Sequence, residues 1–130
     1  MKRTLFALLV SGAMALAAPA FAHHSATPFD TEKTITLEGT VTKWELTNPH
    51  SWLHVEVKDK TGKSVIWGFE AEGPSTIQRA GIKPSDFKVG TKIKITGNPM
   101  RDGTPAAMWI EAVRESDGKK FSPRAGFAVK

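Results

Sequence analysis

Residues 34–46 read TITLEGTVTKWEL, with Ile35, Leu37, Gly39 and Val41 on one parity and Thr36, Glu38, Thr40 and Thr42 on the other. Two-residue alternation predicts a strand with one buried face. Residues 51–59 repeat the pattern, with Leu53, Val55 and Val57 facing one way and Trp52, His54 and Glu56 the other. Asp59-Lys60-Thr61-Gly62 supplies a turn, and residues 63–72 return as the hairpin partner with Val65, Trp67, Phe69 and Ala71 inward. The period then changes. Pro74 suits the first position of a helix, Ile77 and Ala80 sit three apart, and Gly81 can stop it. A fourth strand is expected over 88–96 with Val89, Ile93 and Ile95 buried, and Arg101-Asp102-Gly103 turns the chain into a fifth over 106–115. Asp117-Gly118 allows one more turn before Phe121.

Three strands, a helix and two strands are the element order of an OB-type barrel, whose helix lies between the third and fourth strands. The expected fold is therefore all-β with one short helix, a small five-stranded OB-like barrel preceded by a signal peptide. An SH3-like barrel is the alternative, and the helix position argues against it. Closure also removes the open strand edges that a small sheet presents for aggregation. The organisation expected is a signal peptide over 1–22, a histidine-containing segment over 23–33, the barrel over 34–121 and a flexible tail over 122–130.

Composition agrees with one globular domain. The 130 residues are 40% hydrophobic and 24% charged, too apolar for a disordered polymer and without the long apolar runs of a multi-pass membrane protein. The absence of cysteine excludes disulfides, a thiolate nucleophile and Cys-ligated zinc or iron–sulfur sites. Lys2-Arg3, the apolar run from Leu5 to Val10 and the small-x-small end Ala20-Phe21-Ala22 read as a cleaved secretory signal, with a bacterial periplasm as destination. Loss of Lys2 and Arg3 takes the net charge from +5 to +3, too mild for a nucleic-acid footprint. No stable membrane span is expected after cleavage.

All four histidines, His23, His24, His50 and His54, fall in one part of the chain. Cleavage after Ala22 would make His23 the amino terminus, joining a free α-amine of pKa about 7.7–8.0 to an imidazole on the same residue. Amine and imidazole nitrogens in one plane suit Cu(II) or Ni(II), and copper stands highest among the divalent metals for such donors. A third imidazole from the barrel would complete a histidine brace. On a regular strand His50 and His54 lie about 13 Å apart, so one ion can take only one of them. The extended tail, taken to enter the barrel at Thr34, spans at most about 37 Å, and His54 is the easier reach. The plainer readings are a frayed terminus for His23 and His24, a surface ring for His54 and a turn-fixing ring for His50.

Trp44 and Trp52 share the parity of His54 and are expected beside it on the outer face, where they could stack a small ligand or cover the flank under the tail. Lys92, Lys94 and Arg101 are the candidate charge partners. No partnered nucleophile or carboxylate marks a catalytic centre, so an enzyme is not expected; a copper oxidase or oxygenase would need an open coordination position and a substrate surface.

The pieces AHHS, PFD, TLEGTV, NPHSWLHVEV, WGFE and DGKKF together resemble the bacterial family called domain of unknown function 6152, over nearly the whole of 23–121. The most specific are His23-His24-Ser25 and Asn48-Pro49-His50. The resemblance implies a small exported protein of OB-like fold and supplies no activity. Two functions follow as expectations. One is a periplasmic protein binding a transition metal, copper preferred, through His23, His24 and His50 or His54. The other is a non-metal module taking a small molecule or a periplasmic protein partner on the face around Trp44, Trp52 and His54.

Overall fold

The computed structural model describes residues 28–124. Each stretch that alternates in sequence forms a strand: β1 (Ile35–Glu45), β2 (His50–Lys58), β3 (Ser64–Glu72), β4 (Lys92–Pro99) and β5 (Ala106–Arg114). The one stretch with helical spacing forms α1 (Pro74–Arg79), which Pro74 starts and Gly81, at φ +79°, ends. A 3-10 turn at Pro84–Phe87 and a two-residue strand β6 (Lys120–Phe121) complete the elements.

The strands pair in the order β3-β2-β1-β4-β5-β6, antiparallel throughout. Closure comes from a parallel pairing of β3 with β5, Gly68 against Ala106 through Glu70 against Met108. With α1 between β3 and β4, this is the expected OB-like barrel, with β6 added along β5.

Closure needs strands to curve, and two irregularities supply the curvature. In β1, Val41 faces Val55 and Lys43 faces His54, so Thr42 is an extra residue, its hydroxyl donating to the His54 carbonyl oxygen at 3.3 Å. In β5, Thr96 of β4 faces Glu111 and Gly97 faces Trp109, so Ile110 is extra. Gly39 and Gly97 let the strands approach closely: a Cβ on Gly39 would stand 2.3 Å from the Glu56 carbonyl oxygen, and one on Gly97 2.6 Å from that of Met108.

The Thr42 bulge overturns the expected place of Trp44. Beyond it the parity of β1 reverses, so Trp44 faces Leu53 and points inward while Lys43 and Glu45 point out. Trp44 packs edge-on against Phe87 at 5.9 Å and Trp109 at 5.9 Å between ring centroids, and Phe87 meets Trp109 at 5.2 Å. Such T-shaped pairs set the positive edge of one ring against the negative face of the next. The indole nitrogens of Trp44 and Trp109 have no conventional hydrogen-bond partner among the described residues. Leu53, Val55, Phe69, Ile93 and Ile95 are buried in the core with them, as their alternation implies.

Three further expectations change. β4 starts at Lys92 rather than at residue 88, because Lys88–Thr91 form a turn with Gly90 at φ +91°, and Val89 is 75% exposed instead of buried. The folded unit begins before Thr34: Phe29 is buried and bridges to Met100, with Asp30 N–H donating to the Pro99 carbonyl and Arg101 N–H to that of Pro28. It also extends past Phe121, since Ser122 Oγ bonds the Ile110 carbonyl oxygen, Pro123 is buried and Arg124 pairs with Glu72. The remainder of the expected tail lies outside the described residues.

The reversed parity separates two tryptophans that look alike in sequence. Trp44→Ala opens a cavity beside Trp109 and is expected to cost about 3 kcal/mol, whereas Trp52→Ala on the outer face costs about 1 kcal/mol or less. Urea unfolding of the two variants checks this, and equal losses would contradict the assigned faces. By the same method Gly39→Ala, whose methyl would meet the Glu56 carbonyl oxygen first and Val55 Cγ1 next, should lose about 2 kcal/mol.

Candidate functional site

Cross-strand neighbours decide what each outward side chain of β2 touches. His50, Trp52 and His54 alternate with the buried Ser51, Leu53 and Val55, and so share one face. Opposite them on β3 stand Glu72, Glu70 and Gly68 in turn, and on β1 Glu45 faces Trp52 while Lys43 faces His54.

Both rings are held by carboxylates. His54 Nε2 lies 2.7 Å from Glu45 Oε2, and the other oxygen of Glu45 pairs with Lys43. His50 Nδ1 lies 2.8 Å from Glu70 Oε1. The His54 side chain is 27% exposed and that of His50 46%, so His54 is the more enclosed. Lys43 first, and then His54, hold the Glu45 carboxyl below its ordinary value of 4.5.

Trp52 stands between these pairs with its ring over bare backbone. A Cβ on Gly68 would come within 3.2 Å of Trp52 Cε3 and 4.0 Å of His54 Nδ1. The Gly68 N–H donates to the Pro105 carbonyl oxygen at 3.1 Å, tying this spot to the turn after β4.

Of the residues singled out by sequence, His50, Trp52 and His54 thus share a face, and Trp44 does not join them because it points inward and packs, partly buried, against the core. His23 and His24 lie outside the described residues. Among the described residues no group of three His, Asp or Glu side chains is placed to hold a metal. The expected charge partners also sit elsewhere: Lys94 pairs with Glu38 at 2.7 Å on the β1–β4 face, Arg101 lies 3.8 Å from Asp30, and Lys92 is on β4. The cation beside His54 is Lys43, and Arg124 pairs with Glu72 opposite His50.

Sequence reading missed Glu45, Glu70 and Gly68. Glu70 and Gly68 could be found by registering the hairpin about Asp59–Gly62, which sets His54 against Gly68. Glu45 has no such signal, because its parity depends on the bulge.

Fold and site together define the class, an OB-like barrel with a face of carboxylate-bound histidines about one tryptophan. Residues 11–109 match the family of unknown function (DUF6152), and the chain belongs to that family. No curated protein and no solved structure matches it.

The charge state of Glu45 can be read from stability. A carboxyl whose pKa is lowered by folding stabilises the fold above its unfolded value and loses that contribution as pH falls through the folded value. Denaturant midpoints measured from pH 6 down to pH 2.5 should therefore fall less steeply below about pH 4.5 for Glu45→Gln than for wild type. Parallel curves would mean that the Lys43–Glu45–His54 pairing is absent in solution.

Proposed function

We propose that this protein is exported to the periplasm, loses residues 1–22, and there binds a transition metal, copper before others, without turnover. The donors in this reading are the free amine and imidazole of His23, the imidazole of His24 and the ring of His54.

The observation that carries it is one row of strand partners. Phe29 bridges Met100, Met100 N–H bonds the Ala106 carbonyl oxygen, Ala106 faces Gly68, and Gly68 faces His54. Four strand spacings of about 4.8 Å make roughly 19 Å over the sheet from Phe29 to His54. His23 lies six residue steps before Phe29, a reach of about 20–22 Å when extended. The leading residues can thus span this row with little slack, a far shorter path than one counted from Thr34. His50 lies about 13 Å further along β2, which puts it at the limit of the same reach.

Two other facts favour a metal over a stacked ligand. Ligating histidines commonly give their second ring nitrogen to a carboxylate, which fixes the ring and raises its basicity, and Glu45 stands in that relation to His54. With Trp44 in the core, Trp52 is the one tryptophan on this face, so a stacking platform lacks its second ring.

Titration with Cu(II) of chains beginning at His23 tests the reading. One residue added before His23, or His54→Ala, should each weaken binding by about tenfold or more, while His50→Ala changes it by less than about twofold. Binding no tighter than that of a peptide carrying the same first residues would overturn the proposal. Chelator-resistant uptake of a small molecule, lost in Trp52→Ala, would instead favour the non-metal module.

A further inference from the structure

Residues 74–84 read PSTIQRAGIKP, a stretch with two isoleucines, two prolines and two cations and without an acid. Ile77 and Ile82 are buried in the core. With Leu46 at the end of β1, Pro74 and Pro84 they also line a cavity of about 300 Å³ between α1, β1 and the 3-10 turn. We propose that this cavity is a separate binding site, which takes the apolar tail of a small monocarboxylic acid and sets its carboxylate at Lys83. The proposal does not depend on the metal reading.

The backbone of the walls is fixed. Pro74 and Pro84 have narrow φ ranges, and each opens the short helix that follows it. At the other end of α1, Gly81 closes a double cap: its N–H donates to the Gln78 carbonyl oxygen at 3.0 Å, and Ile82 N–H donates to that of Ile77 at 3.2 Å. Asp86 Oδ2 accepts the Lys83 N–H at 2.8 Å, which holds the start of the 3-10 turn. An apolar lining held in this way forgoes dispersion contacts while it faces water, and an apolar chain restores them. The volume is at the lower end of the range for small-molecule sites, which suits a tail of several carbons rather than a fused ring system.

Charge selects the head group. The polar residues of the lining are Gln78 and Lys83, both exposed. Among the described residues no carboxylate pairs with the Lys83 ammonium or with the neighbouring Arg79 guanidinium, which donates to the Thr76 hydroxyl. The acids nearest in sequence are engaged elsewhere, Glu72 by Arg124 and Asp86 by Arg114 and Lys119. The rim therefore carries positive charge that the fold does not compensate, and the Gln78 carboxamide adds N–H donors to it. An anionic head is favoured there over a neutral one, and a cationic head is repelled.

Amide shifts of the isotope-labelled chain beginning at His23, titrated with hexanoate, heptanoate and octanoate, test the proposal. Saturable shifts are expected at Leu46, Ile77, Gln78 and Ile82, with affinity rising about fourfold for each added methylene. Lys83→Gln should weaken octanoate about twofold to fivefold, the size of an exposed ion pair, and leave 1-octanol unchanged. Gln78→Trp changes an exposed helix position and should block all three acids by filling the mouth. Trp52→Ala should leave octanoate binding as it is, which separates this site from the face of β2. Octylammonium bound as tightly as octanoate would overturn the proposal. So would an affinity indifferent to chain length, shifts centred away from the cavity, or no saturable shift below about 10 mM.

Discussion

One extra residue in one strand settles which side chains of β1 are inside and which are out. Without Thr42 as a bulge, Trp44 would lie outside beside Trp52, and Lys43 and Glu45 would change faces with it. With it, the indole completes an aromatic triangle with Phe87 and Trp109, and a lysine and a glutamate arrive opposite His54 and Trp52. Core and candidate site are therefore two results of one backbone irregularity. Bulges sharpen local twist as well as re-aiming side chains, so the curvature the barrel needs and the charges the face carries have a common origin.

Closure of the barrel organises the rest. The parallel register of β3 with β5 sets Gly68 beside Ala106, which brings the β4–β5 turn and the Phe29 bridge around to the strand next to His54. At the other end of β3, Arg124 reaches Glu72, whose cross-strand partner is His50. The first and last described residues thus approach the β2–β3 region from two sides. Arg114 anchors the far flank by a different means: it bonds Asp86 of the 3-10 turn and both oxygens of Asp117 and stacks 5.1 Å above Phe121. The charges of that second cluster are paired with one another.

How much of this could be read from the chain follows from what each feature depends on. Alternation in β1, β2 and β3 and the position of α1 are local patterns, and the barrel follows from them. The hairpin register is local too, because Asp59–Gly62 fixes it, so the facing of His54 and Gly68 was within reach of the sequence. The bulge was not: TVTKWE alternates as well with Trp44 outside as inside, and the choice is made by Phe87 and Trp109, more than forty residues later. Val89 failed for a related reason. A β-branched residue before Ile93 and Ile95 looks like the start of their strand, yet Gly90 at φ +91° turns the chain between them. The bridge at Phe29 was hidden because PFD carries no alternation, and its partner Met100 lies far along the chain.

The carboxylate bonds to His50 and His54 have a plainer explanation, as cross-strand pairs that stabilise the sheet. Their expected size argues against that as a sufficient one. An exposed pair of this kind contributes about 0.2–1 kcal/mol, and ordering the side chains offsets part of even that. The more enclosed of the two, His54, has one nitrogen committed to Glu45 and the other directed over a glycine. As a stabilising device this is inefficient, because a threonine or valine would serve an outward strand position as well. Under the metal reading proposed above the same bond has a use, because Glu45 would orient the ring in advance. In that proposal the cost of ordering the ring would be met by the fold before an ion arrives, the condition under which a single ring on a strand adds usefully to other donors.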